Sequence, residues 1–469
     1  MTASVAQLIM VKKVCIIGAG IGGLTTGALL SKKGYNVTIF EKEKMLGGRA
    51  LTFNGDNLTI DNYRKTLSKY SMSVPFSEPG LDEIFKNNML NGYTLDLGFH
   101  SIEGGTMSDV GRAIIDTGNK VEMMGTKMGL INNNGFSFPL VKVKDKLRFL
   151  PLILRLFLSG ESTMKRLDKQ SITETIKIYA KGKMVTILEL LPRVATTVND
   201  LSKISTGESF RATQANLRRG STPVGYPQKG LISLSNAFSD VIKKSGGEIH
   251  LEKEVKKIKI ENGKATGVFV DNKEYDFDII ISNILIQNIF KIASEKHFPK
   301  KYIENLKSLE GTGSLCAYYS LNKIDPKLEG KSFLFIERNA GVKGNDAVGM
   351  IEFVTAQPEA GISPISKYLV QSYIICTPKE AKSKKTLEKL KEILDKNLEI
   401  LIPNYHSIKN WAIYPTVWHL DGVAKTIDNI KPDVKTPIKN LYLVGDCVKA
   451  PGIGINCAVN SARILEEIL

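Results

Sequence analysis

The sequence predicts an α/β protein in which a three-layer, mostly parallel, Rossmann-like domain is assembled from separated segments and joined to a discontinuous α+β domain. Three observations predict it. A strand, a glycine turn, a helix and a second strand open the chain over residues 12–42. An apolar strand, a glycine-rich loop and a helix close it over 441–469. At 469 residues the chain is long enough for two domains with full cores.

The opening unit reads KKVCIIGAGIGGLTTGALLSKKGYNVTIFEK. Residues 14–17 are a short apolar run with β-branched residues, as in a buried parallel strand. Gly18, Gly20 and Gly23 complete G-x-G-x-x-G, with Gly22 beside the last. The first glycine allows the turn, the second lets a pyrophosphate approach the backbone, and the third lets helix and strand pack closely. The amides at the start of the following helix face the phosphates. Residues 37–40 form the second strand, and Glu41 closes it at the position that hydrogen-bonds a ribose. This points to a dinucleotide site without separating one dinucleotide from another.

Next comes Gly47-Gly48-Arg49. Two glycines let the main chain lie against a ligand, and an arginine neutralises a pyrophosphate while donating several hydrogen bonds. By itself, a surface turn ending in a salt-bridged arginine explains the triplet equally. The chain's other end tips the balance. PIKNLYLVGDCVKAPGIGINCAVNSARILEEIL delivers Gly445-Asp446 from a strand into a proline-glycine loop, and Gly454 and Ile455 open the closing helix.

In chain order, G-x-G-x-x-G, an acid, G-G-R and a C-terminal G-D resemble the flavin-containing amine oxidase and phytoene desaturase superfamily. GYPQKGLISLSNAFSDVIKKSGGEIHLEKEVKKI looks like that family's second cofactor segment, with Val255 the residue whose backbone meets the adenine. The resemblance implies non-covalent FAD. Gly18, Gly20, Gly22, Gly23, Glu41, Gly48, Arg49, Val255, Gly445, Asp446, Gly454 and Ile455 would hold it. It implies a cofactor domain from 1–53, 91–105, 221–284 and 436–469, and a substrate domain from 106–220 and 285–435. It further implies hydride transfer between flavin N5 and a carbon of an apolar, isoprenoid or carotenoid-like substrate. LDLGFHSIEGG resembles retinol saturases, so desaturation and saturation both stay open. Flavin amine oxidation is the enzymatic alternative, and a non-catalytic prenyl-lipid carrier on the same fold is the second.

The chain departs from the superfamily pattern between G-G-R and the strand that returns to the flavin. Residues 54–90 intervene and read as an insertion near the cofactor entrance, either a lid or partner contact or a plain surface excursion. On the returning strand His100 is the catalytic candidate, because imidazole polarises a carbonyl or moves a proton. Asp96 and Glu103 rank below it, since acids beside backbone turns often brace them. Trp411, Tyr414, Trp418 and His419 lie just before the last cofactor segment and are candidates for the wall of an apolar substrate slot or an aromatic cage. Core packing at a domain junction accounts for them equally. A covalent flavin link at Cys447 is disfavoured.

Composition limits the partners. With 64 Lys+Arg against 48 Asp+Glu, the net charge is +16. No basic stripe interleaves with aromatics, so nucleic acid is not an expected partner. Residues 141–169, VKVKDKLRFLPLILRLFLSGESTMKRLDK, join an apolar run to basic flanks. As a helix the run reaches about 15 Å, half of a hydrocarbon core of about 30 Å, so it cannot span a bilayer. It suits a segment lying on an anionic membrane surface, or else a core helix of the substrate domain. The five cysteines are scattered and no metal-ligand spacing appears, which suits a cytoplasmic protein, peripheral on a membrane at most. The N-terminal residues 1–13 lack the features of a signal peptide. Oligomeric state is not legible.

Overall fold

Alternation along one strand sets the architecture. In Lys13–Ile17, Val14 and Ile16 enter one buried cluster while Cys15 and Ile17 enter another. Side chains on a strand alternate between faces, so this strand is covered on both, as a parallel sheet requires. The computed structural model describes residues 11–133, 135–219 and 222–469. The leader reading of residues 1–10, and Ser221 at the start of the mid-chain segment, lie outside them.

Five strands run parallel in the spatial order Glu248–His250, Asn36–Phe40, Lys13–Ile17, Ile279–Ser282 and Leu441–Leu443. Helices Ile21–Lys32, Ile232–Lys244 and Gly454–Ile468 share the apolar cluster on one face. The antiparallel strands Val255–Glu261, Lys264–Val270 and Lys273–Asp276 share the cluster on the other. The result is the three-layer Rossmann-like domain, drawn from three distant parts of the chain.

The second sheet is larger and mainly antiparallel. Its order is Met72–Glu78, Lys409–Val417, Gly313–Leu321, Tyr368–Cys376, Asn345–Glu352, Lys331–Val342, Met123–Asn132, Val224–Pro227 and Ile102–Glu103. One face packs on helix Lys384–Leu401. Part of the other face floors a cavity, over which lie the helices from Val143–Leu158 to Thr206–Arg219.

Residues 54–90 are a built part of this second unit rather than an appended lid or excursion. Met72–Glu78 is an edge strand pairing antiparallel with Lys409–Val417. Tyr63, Leu67, Leu81 and Ile84 are buried in the core beneath the sheet. The apolar spacing of helix Ile60–Lys69 explains why it docks there. The division at residue 106 also shifts. Helix Asp109–Asp116 packs on the helix layer of the parallel sheet through Val110, Ala113 and Ile114. Ile286, Ile289, Leu306, Val423 and Val434 join that same cluster, although they lie within 285–435.

Candidate cofactor and active site

The parallel strands end at a trough of bare backbone, where ligands bind in open α/β sheets. Gly18 turns the chain at φ +100°, and Gly20 caps helix Ile21–Lys32. A Cβ on Gly23 would stand 2.1 Å from the Gly18 carbonyl oxygen, so helix and strand pack this closely only through glycine. A Cβ on Gly22 would stand 3.0 Å from Gly445 Cα, which brings the two chain ends together. Gly47 donates its N–H to the Ala19 carbonyl at 2.9 Å, and Gly48 lies against Gly20.

Glu41 sits at the end of the second strand, as expected. Its Oε2 accepts the Ala19 N–H at 2.7 Å and its Oε1 the Glu43 N–H at 2.9 Å. Burial pushes its pKa up, and those two amides pull against that. Val255 is buried and lines the same trough.

Arg49 lines the trough and is held in place from within the protein. Its Nη2 pairs with Asp446, and its Nη1 donates to the carbonyls of His419 at 3.2 Å and Leu420 at 3.0 Å. The physical reason is that Asp446 is buried and needs a cation. Burial opposes ionisation of Asp446, yet Arg49 and the Gly422 N–H hold its carboxyl below the ordinary aspartate range. Gly445 donates its N–H to Ser461 on the closing helix at 2.8 Å. Gly454 and Ile455 form the first residues of that helix and line the trough, so two helix N-termini face one space.

That space is a cavity of about 1250 Å³ running from the cradle onto the large sheet. Its far part is apolar, walled by Phe149, Leu152, Leu156, Met184, Leu188 and Phe210. The bare backbone, the buried acid Glu41 and two helix N-termini facing one space fit a flavin dinucleotide.

His100 and His419 both line the cavity, and the Nδ1 of each has no hydrogen-bond partner among the described residues. Burial and then the nearby Arg49 charge push His100 down to about 4, so it is neutral at pH 7. The aromatic candidates fall elsewhere. Tyr414 lies on the face of its strand opposite the cavity, where its hydroxyl donates to Asp395 at 2.7 Å. Trp418 packs in the same core beneath Lys382. Trp411 faces the cavity side of the sheet but is sealed beneath residues 81–93, its Nε1 donating to Met89 and its ring edge-on to Tyr93. None of the three lines the cavity, for strand alternation and the 54–90 stretch cover them. The Cys447 thiol is pushed up to about 12 by burial, so it carries no thiolate for a flavin link at neutral pH.

Sequence reasoning missed Asn283. Its side chain fills the space between Gly20, Gly22 and Gly445, and its Nδ2 donates to the Gly18 carbonyl at 3.2 Å. The signal was present, because Asn283 follows a central parallel strand at its C-terminal end. Ser101 and Tyr373 on the cavity floor carried no such signal.

Comparison with known proteins agrees with this geometry. Residues 16–71 match the NAD(P)-binding Rossmann-like domain, and residues 134–464 match the flavin containing amine oxidoreductase family. The 1-hydroxycarotenoid 3,4-desaturase of Flavobacterium sp. (strain P99-3) is 24% identical, the match covering 98% of this chain and 99% of that protein. A 4,4'-diapophytoene desaturase of Methylomonas sp is 25% identical over 67% of this chain and 62% of its own length. The fold of an oxidoreductase from Methanosarcina mazei superposes with a TM-score of 0.73 at 22% identity, covering 97% of this chain and 100% of that one. The chain belongs to the flavin containing amine oxidoreductase family, within the superfamily that joins phytoene desaturases and amine oxidases, and is a flavin-containing oxidoreductase whose cofactor is FAD.

Proposed function

We propose that this flavoprotein transfers hydride between flavin N5 and a carbon of an apolar, isoprenoid-type chain, as a desaturase or saturase acting on C–C bonds. The single observation that carries this reading is the apolar section of the cavity, continuous with the cradle. Bound FAD supplies a two-electron hydride acceptor or donor. The protein's part is to hold an extended hydrocarbon against the ring and keep water out. His100, neutral and beside Arg49, contributes wall and dipole rather than a charged acid. The carotenoid desaturases among the relatives support the substrate class.

Amine oxidation is less well supported, because Trp411, Tyr414 and Trp418, the residues for an aromatic cage, are packed away from the cavity. The reading is tested by loading the purified protein with flavin and offering acyclic isoprenoid hydrocarbons under reducing and oxidising conditions. A shift in the product's conjugated absorbance supports it. Turnover of amines alone overturns it, and so does protein that stays colourless after flavin reconstitution and merely carries lipid.

The same reading places the cavity mouth on an anionic membrane. Helix Val143–Leu158 gives Leu152 and Leu156 to the cavity wall, while Leu147 and Leu158 are 66% and 79% exposed. Lys142, Lys144, Lys146 and Arg148 are exposed beside them. Among the described residues no helix is long and apolar enough to cross a membrane. An apolar patch with cationic flanks suits a helix lying in one leaflet, delivering hydrocarbon directly to the cavity.

A further inference from the structure

Behind the cavity floor stands an acid that the cradle does not use. Glu352 ends strand Asn345–Glu352, on the same face as Met350, which lines the cavity. Its side chain is fully buried. Oε1 accepts from Ser101 Oγ at 3.2 Å and, at the limit of a hydrogen bond, from Ser332 Oγ at 3.5 Å. Oε2 has no partner among the described residues. Neither do Oε1 and Nε2 of Gln371, which is also fully buried and pairs with Glu352 across the neighbouring strand. Three buried polar atoms without protein partners on one patch are unusual, since each is costly to leave so.

The groups facing Glu352 are Ser101 from the cavity strand, Ser332 and its neighbour Thr126, Gln371, and the phenols of Tyr226 and Tyr373. All are neutral at pH 7. Burial therefore dominates and pushes the carboxyl up to about 8, with the two serines pulling it partway back. Ser101, unlike Glu352, lines the cavity, so one hydroxyl connects the buried acid to the reaction chamber.

Making a double bond in a hydrocarbon removes a hydride from one carbon and a proton from its neighbour. Resting on the reading proposed above, the hydride and its electron pair leave with oxidised flavin, and the proton needs an acceptor. At about 4, His100 is the weaker base of the two groups near the floor. We propose that Glu352 holds the proton of the reaction chamber and exchanges it with substrate through Ser101. For desaturation Glu352 must first be ionised; the C–H proton then passes to Ser101 Oγ as the Ser101 hydroxyl proton passes to the carboxylate Oε1 of Glu352. The reverse sequence delivers a proton when a double bond is reduced. Glu352 is thus a positioning residue that acts through Ser101.

Three proteins test this: the wild type, Glu352→Gln and Ser101→Ala. In infrared spectra of the flavin-free protein, the wild type shows a protonated-carboxyl band that disappears with a midpoint near pH 8. Glu352→Gln lacks the band, and Ser101→Ala shifts its frequency. A wild type without a titrating band assignable to Glu352 overturns the proposal. In turnover, Glu352→Gln lowers kcat ~100-fold, the ordinary contribution of a positioned proton acceptor, with KM and flavin content within about twofold. It also flattens the rise of desaturation rate with pH. Ser101→Ala removes only a hydroxyl from the cavity surface and keeps the turnover test available should Glu352→Gln fold poorly. An active wild type whose variants keep its kcat and pH profile sinks the proposal alone. A wild type that converts no apolar substrate sinks the functional reading, while the infrared band still decides whether Glu352 holds the proton.

Discussion

The cradle and the helical wall enclose one cavity but are built under opposite constraints. In the cradle the ligand-facing surface is backbone, and there is no room for change. A Cβ on Gly22 would come within 2.6 Å of Asn283 Oδ1, and one on Gly23 within 2.1 Å of the Gly18 carbonyl. In the wall the surface is made of interchangeable apolar side chains, several of them half in solvent; Leu150 is 45% exposed and Leu152 47%. Where backbone meets backbone, only one residue type serves. Where side chains meet the flexible hydrocarbon of the proposed function, volume and polarity suffice. Recognition of the cofactor is therefore fixed residue by residue, and recognition of the substrate only in bulk.

The sharpest way to break that contrast is Gly23→Ala. Gly18 sits in a turn pinned between the first two strands, its N–H bonded to the Phe40 carbonyl and its oxygen accepting from Asn283, so the variant is expected to lose flavin binding outright, read as flavin absorbance per purified chain. Gly34→Ala is the control. Gly34 has positive φ and nothing within 4 Å of its Cβ position, so only strain of about 1 kcal/mol applies and flavin content stays at the wild-type level.

Arg49→Ala tests the cradle's electrostatic half. It leaves the buried Asp446 without its ion-pair partner and with only Lys431 as a nearby cation, a loss of about 3 kcal/mol in denaturant unfolding at pH 7. The sign with pH follows from the pair. In the wild type the folded pKa of Asp446 is depressed, so its contribution is present above the unfolded aspartate range and is lost as pH falls through the folded value. Without Arg49 that pKa rises, so the gap between variant and wild type narrows as pH falls. A gap that does not change with pH would show that the arginine acts by packing alone.

This contrast also explains what the sequence could and could not reveal. Gly18, Gly20, Gly23, Glu41 and Gly445-Asp446 were legible because each is demanded by a local backbone geometry at fixed spacing. Arg49 was legible as a residue of the trough, but its pairing with Asp446 was not, since that partner lies 397 residues away. The parallel sheet was legible from its apolar runs. The edge strand Met72–Glu78 was not, for it alternates weakly and owes its place to pairing with Lys409–Val417. Trp411, Tyr414 and Trp418 looked like a slot because composition says nothing about which strand face a residue takes. Asp96 was read as a brace, and its side chain accepts from Thr52 at 2.6 Å, from Tyr226, and from the Leu231 N–H at 3.1 Å. It ties three segments at the junction of the two units.

That brace yields the next prediction in size. Burial pushes Asp96 up to about 6, with Thr52, Tyr226 and Leu231 pulling against it. Between the unfolded value near 3.8 and about 6, the folded protein keeps a proton that the unfolded chain releases, so stability falls as pH rises through that window. The drop is about 3 kcal/mol, from 1.36 kcal/mol per pKa unit. Asp96→Asn removes the slope, as denaturant midpoints measured across the window will report. A slope that persists in the variant would assign it to other acids.

The wall should give the smallest effect on stability and the clearest on location. Leu154→Ala is expected to change unfolding free energy by no more than about 0.5 kcal/mol, because the side chain is half exposed and leaves no closed void. Its loss, together with Leu147→Glu and Leu158→Glu, should abolish co-flotation with anionic vesicles at low salt while flavin content stays unchanged. Replacing Lys144, Lys146 and Arg148 with glutamine should weaken vesicle binding by about 1 kcal/mol each and flatten its salt dependence. The distinction between these two variants matters. If only the charge variant matters, the helix rests on headgroups, and hydrocarbon must cross water to reach the cavity. If both matter, the apolar face is inserted, and substrate passes from leaflet to flavin without leaving an apolar medium. Wild-type protein that does not float with anionic vesicles at all leaves the exposed leucines as a solvent-facing wall and removes the membrane from the account.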